Sequence, residues 1–138
     1  MTSGYEEGRR SDVERYERSE SLTLTSDSPA HARAVMSSLA DEWPIEEDIA
    51  QRAELLASEV VADAVDHGSD EATLRITLED HKLELELFDG PRRSAIATTG
   101  RAEGVPSMRM RVLAKVADGR YSSDLGESHY ARYELRWP

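Results

Sequence analysis

Two stretches near the middle of the chain alternate strictly between apolar and polar residues. In ATLRITLE, residues 72–79, Leu74, Ile76 and Leu78 take every second place, and in KLELELFD, residues 82–89, Leu83, Leu85 and Leu87 do the same. A period of two sends alternate side chains to one face, so each stretch reads as a half-buried strand. Asp80 and His81 between them suit a tight hairpin turn. Upstream the period lengthens. Ile49, Ala53, Leu56, Val60 and Ala64 recur at steps of four and three, and Ala57, Val61 and Val65 widen the stripe, which predicts a long helix over about 45–67. Gly68 is its natural stop, because glycine accepts a left-handed backbone. Pro44 separates it from an earlier helix over about 29–42, with Ala32, Val35, Met36 and Leu39 at helical spacing.

The flanks carry weaker patterns. Leu22 and Leu24 alternate with polar residues in SLTLTS, residues 21–26, as in a strand, and Asp27, Ser28 and Pro29 read as a turn and helix start. Residues 1–20 mix both charge signs with almost no aliphatic residue and read as a flexible charged arm; a short helix over 13–19 would have little apolar face to bury. Residues 90–104 are rich in Gly, Pro, Arg, Ser and Thr and read as a long loop. A helix is expected after Pro106, with Met108, Val112, Leu113 and Val116 as its buried side. DGRYSSDLGE then turns the chain into a last strand over 129–137. The expectation is one domain over 21–138, a two-layer α/β (α+β) sandwich of a mostly antiparallel sheet with helices on one face.

Composition narrows the functional classes. With 138 residues the chain suits a single core. Its formal net charge of -11, from 28 acidic and 17 basic residues, repels phosphate backbones, so nucleic acid is not an expected direct partner and a basic protein surface is. There is no cysteine, which excludes disulfides and thiolate metal sites. No apolar run is long enough to span a membrane, and a cytoplasmic location is expected.

The chemistry concentrates at the end of the long helix, in SEVVADAVDHG, residues 58–68. Together with a hairpin ending in LELELFDGPRR, this string resembles the Bergerat-fold ATPases, the histidine-kinase-like group that includes gyrase, and within it the small anti-sigma-factor serine kinases. Their N-box helix has the form Ser-Glu-x-x-x-Asn-Ala-x-x-His-Gly, matched here from Ser58 and Glu59 through Asp63 and Ala64 to His67 and Gly68. The resemblance covers roughly residues 21–137. It implies Glu59 as general base toward a partner's serine hydroxyl, Asp63 as ligand of a magnesium ion, and Asp89, followed by Gly90 and Pro91, as acceptor of the adenine amino group of ATP, with Gly104 in the phosphate-facing lid.

Two positions depart from the family pattern. Asp63 stands where the family has Asn; it still offers oxygen to magnesium but adds negative charge beside a triphosphate. At about 4 Å and an effective dielectric of about 20, one such pair of charges is worth about 4 kcal/mol. In EGVPSMRM the family's Gly-x-Gly-Leu keeps Gly104 alone: Pro106 replaces the second glycine and Ser107 the leucine. Proline removes an amide donor and fixes φ, so the lid cannot wrap a phosphate in the family's way. Arg109 and Arg111 would be the substitute positive charge.

The expectation is therefore a regulatory protein that binds a protein partner in transcription control, with weak or no ATP binding and little or no catalysis. The resemblance implies a sigma factor, an anti-anti-sigma factor or a DNA-binding regulator as partner, and a homodimer. The alternative is an active ATP-dependent serine-protein kinase using Glu59, Asp63 and Asp89. A third reading takes the Glu59, Asp63, His67 face, spaced by four, as a divalent-metal site. Against all three stands a solvated carboxylate face on an acidic chain.

Overall fold

The structure, a computed structural model, describes residues 14–91 and 108–138. The order of elements is β1 (Arg15–Thr23), α1 (Ser28–Glu42), α2 (Glu47–Asp66), β2 (Glu71–Glu79), β3 (Lys82–Gly90), α3 (Met108–Val116), β4 (Gly119–Leu125) and β5 (Ser128–Arg136). The five strands form one sheet in the order β1-β2-β3-β5-β4, antiparallel at every pairing. Helices cover one face, so the chain is the expected two-layer α+β sandwich. Among the described residues no helix is long and apolar enough to cross a membrane.

The alternation in β2 and β3 becomes the floor of the core. Leu74 faces Leu87, Ile76 faces Leu85 and Leu78 faces Leu83, and all six are buried. Beyond β3 the same rows continue into Ala131, Tyr133 and Leu135 of β5. Onto this floor α2 sets Ile49, Ala53, Leu56, Val60 and Ala64, and α1 adds Ala32, Val35, Met36 and Leu39. Burying a large aliphatic side chain is worth about 1.5–3 kcal/mol, which makes these rows the main source of stability. Ala32, Ala53 and Ala57 are wholly buried, and their small side chains let α1 and α2 approach closely. The hairpin turns on Asp80 and His81, both at positive φ (52° and 58°), the backbone that a two-residue turn with the right twist requires. Gly68 ends α2 at φ 79°, with its amide donating to the Val65 carbonyl at 3.0 Å.

The structure corrects three expectations. Residues 15–20, assigned to an arm with a short helix, belong to β1, which pairs residue by residue with β2 from Arg15↔Glu79 to Thr23↔Glu71. The domain boundary therefore moves toward the N-terminus, and residues 1–13 lie outside the described residues. β1 reads as polar because it is an edge strand: its hydrogen bonds go to one neighbour, and Arg15, Glu17 and Arg18 are exposed to water. Second, GRYSSDL forms β4, the opposite edge, for the same reason. Third, Met108 is not a core residue: it is 72% exposed, and among the described side chains of α3 it is Leu113 that is fully buried. The expected loop over 90–104 lies outside the described residues from 92 on.

Candidate functional site

α3 packs against α2, and two arginines, one from each helix, tie its ends there. Arg52 of α2 donates to the Val116 carbonyl at 2.6 Å and to Asp118 at 3.3 Å, closing the C-terminal end of α3, where a cation meets the helix dipole favourably. From α3, Arg109 reaches back. Its Nε–H donates to Glu59 at 3.1 Å and its Nη1–H to Asp66. Burial works against the Arg109 charge, but the hydrogen bonds and charges of Asp66 and Glu59 outweigh it and hold the guanidinium firmly protonated. Glu59 and Asp66 lie seven residues apart, two helical turns, so one fork spans both.

Asp63 and His67 form a separate unit. The His67 ring is buried and its Nδ1 lies 2.8 Å from the Asp63 carbonyl; a carbonyl only accepts, so Nδ1 carries the proton. The Asp63 carboxylate lies 3.5 Å from the same nitrogen. The i and i+4 spacing puts the two residues on one face of the helix. It does not gather Glu59, Asp63 and His67 around a common point: among the described residues no three His, Cys, Asp or Glu side chains are placed to hold a metal ion.

Asp89 ends β3 on the inner side of the sheet and is 3% exposed. Ser69, just past Gly68, donates its hydroxyl to Asp89 Oδ1 at 3.2 Å, which joins the end of α2 to the end of β3. Gly90 follows at φ 152°, and a Cβ there would stand 2.8 Å from the Ser128 Cα, so the glycine permits β3 and β5 to close at this end. A cleft of about 550 Å³ opens beside it, lined by Leu22, Ala72, Phe88, Asp89, Gly90, Ser128 and neighbours; neither Glu59 nor Asp63 lines it. Gly104, Pro106 and Ser107 lie outside the described residues.

Among the described residues, the acids at the two ends differ in what they offer a ligand. The buried Asp89 carboxylate is the kind of acceptor an exocyclic amine needs. At the other end the Glu59 and Asp66 carboxylates are paired with Arg109, and the Asp63 backbone and side chain face His67.

Sequence reasoning missed two features. Ser69 is one; a serine immediately after a helix-ending glycine was its only signal. The second is a polar cluster on the open face of the sheet. Glu86 is buried there between Arg75 (2.7 Å) and the Tyr130 hydroxyl (2.6 Å). Burial pushes the Glu86 carboxyl up, but donation from Arg75 and Tyr130 and the charges of Arg75 and Arg132 hold it below the ordinary 4.5. Tyr130 is pushed up to about 12, by burial and then by its bond to Glu86 and that carboxylate's charge. Arg75 lies over Phe88 at 5.6 Å and Arg132 over Tyr121 at 5.5 Å, which completes the cluster.

No family model matches the chain, and no curated protein matches it.

Proposed function

We propose that this chain is a regulatory binding domain on an anti-sigma-factor-like scaffold, acting in transcription control by docking a protein partner with a basic surface and holding ATP weakly or not at all. The partner class is a sigma factor, an anti-anti-sigma factor or a DNA-binding regulator, met by the acidic surface of a chain with net charge -11. One observation carries the reading: Arg109 bridges Glu59 and Asp66. A general base must turn a lone pair toward the proton it takes, and Arg109 engages Oε1 of Glu59 and holds that carboxylate toward α3, which works against its use by an incoming hydroxyl. The substitutions of Asp63 for asparagine and of Pro106 for a lid glycine point the same way.

Thermal unfolding with millimolar Mg-ATP tests this reading. Because a ligand at 100 times its Kd stabilises the native state by about 2.7 kcal/mol, a nucleotide-gripping domain would melt several degrees higher. The expected shift is under about one degree; a rise of several degrees, abolished by Asp89→Asn, would overturn the proposal.

That outcome would favour the second reading, an active ATP-dependent serine-protein kinase. Its supporting observation is Asp89, held buried and hydrogen-bonded where the resemblance puts the adenine. Phosphate transfer to a partner serine, lost on Glu59→Gln, would establish it.

A further inference from the structure

A second cavity, of about 330 Å³, lies at the opposite end of the β2–β3 hairpin from Asp89. Three of its lining residues carry rings, Tyr16, His81 and Trp137, and Leu78 and Pro44 add apolar surface. The rings are fixed in place. His81 and Trp137 stack with centroids 5.5 Å apart and planes 19° apart, and the Trp137 amide donates to the His81 carbonyl at 3.2 Å. Tyr16 leans on Trp43 at 5.6 Å. Two carboxylates, Glu14 and Asp80, complete the lining, and no Lys or Arg is part of it among the described residues.

Aromatic faces and carboxylates in one cavity suit one ligand chemistry. Ring faces are electron-rich and attract a weakly hydrated cation, while the carboxylates supply its counter-charge. A neutral apolar ligand would strip water from both carboxylates without replacing it, and an anion would be repelled. A hard metal ion would gain nothing from the rings. The surroundings favour the same sign. Residues 41–48, DEWPIEED, which supply Pro44, carry five carboxylates and no Lys or Arg. The nearest basic strand residues, Arg15, Lys82 and Arg136, share one cross-strand row with Glu79. That row alternates with the row of Tyr16, Leu78, Leu83 and Leu135 that lies under the helices, so its side chains point to the opposite face.

We infer that this pocket takes an organic cation, an alkylammonium or guanidinium head of the kind that ends a lysine or arginine side chain. The inference deepens the reading of a basic protein partner and rests on it only for the source of the cation.

The test titrates N-propylguanidinium chloride into the ¹⁵N-labelled full chain and follows the Trp43 and Trp137 indole N–H signals. N-propylurea serves as the neutral match. A saturable shift at Trp137 with the cation, and none with the urea, is the expected result. Asp80→Asn, which keeps a side chain tolerant of positive φ, and Glu14→Gln should each weaken binding about fivefold, with circular dichroism checking that both variants fold. An equal response to the urea, no saturable response to the cation, or unchanged affinity in the folded double variant would overturn the inference. A second arm adds a short Lys/Arg-rich peptide. If the peptide moves the Trp137 signal and propylguanidinium displaces it, a protein side chain is the occupant. If only the free cation moves it, the pocket stands with a small-molecule cation as occupant, and the basic partner must dock elsewhere. A peptide that binds while Trp137 stays silent to every cation sinks the pocket and leaves the proposed function intact.

Discussion

At the scale of single residues, two carboxylates of SEVVADAVDHG meet at one guanidinium. Glu59 and Asp66 share Arg109, and their coupling is measurable. Arg109→Ala should lower stability in urea by about 1 kcal/mol, since the pair is partly exposed and solvent screens it. A double-mutant cycle with Glu59→Gln should give a coupling of about 0.5–1 kcal/mol, and additive single effects would show that the bridge is not formed in solution. Arg109→Lys should recover only part of the loss, because one ammonium nitrogen cannot reproduce the two spaced, coplanar donors Nε and Nη1 that Arg109 uses. The carboxylates themselves were legible in the sequence: Glu59 and Asp66 stand seven residues apart in the long helical stripe. Their partner was not. Arg109 lies fifty residues away from Glu59, and in the string alone it looks like spare positive charge for a phosphate.

At the scale of elements, burial decided what could be read. β2 and β3 sit inside the sheet with one face against helices, so their leucines alternate without exception. The helices were equally plain, because their apolar stripes face the same core. The two edge strands have little such stripe: RYERSESLT shows its period only at Leu22 near its end, GRYSSDL shows none, and both are held by backbone pairing to one neighbour. Asp89 was visible as a strand-ending acid, whereas its burial and its bond to Ser69 depend on where α2 ends in space. The junction of β3 and β5 gives a sharp prediction. Gly90→Ala should cost about 2–4 kcal/mol, since the new methyl meets Ser128 and the φ of 152° is strained for any other residue. Ser128→Gly in that background should recover only part of the loss, because the Ser128 Cα itself stands 2.8 Å from the place a Cβ on residue 90 would take. Full recovery in thermal melts would refute the close approach of the two backbones.

For the whole molecule, the carboxylates set the response to acid. Glu20 is held low by hydrogen bonds from His31 and Arg18, Asp118 by the Arg136 amide and then by Arg52, and Glu134 by Arg136; Glu86 is held low as described. In each case the unfolded chain takes up protons first as pH falls. Stability should therefore be flat above about pH 5 and decline below the ordinary values of 4.5 for Glu and 3.8 for Asp, a decline complete only below the depressed folded values. Urea midpoints measured from pH 7 down to about pH 3 check this, and Glu86→Gln should shallow the slope while lowering the plateau. A midpoint that rises on acidification would mean that relief of net negative charge dominates instead. The connectivity has a further consequence, for the order of events in the cell. β1 and β2 are hydrogen-bonded neighbours, yet residues 24–70, with both α1 and α2, lie between them. On a translating ribosome β1 emerges long before its pairing partner and must wait, unzipped, while the helical hairpin is made. Its arginines and glutamates, which hid it from the eye in the primary structure, are what keep that waiting segment from adhering to other nascent chains.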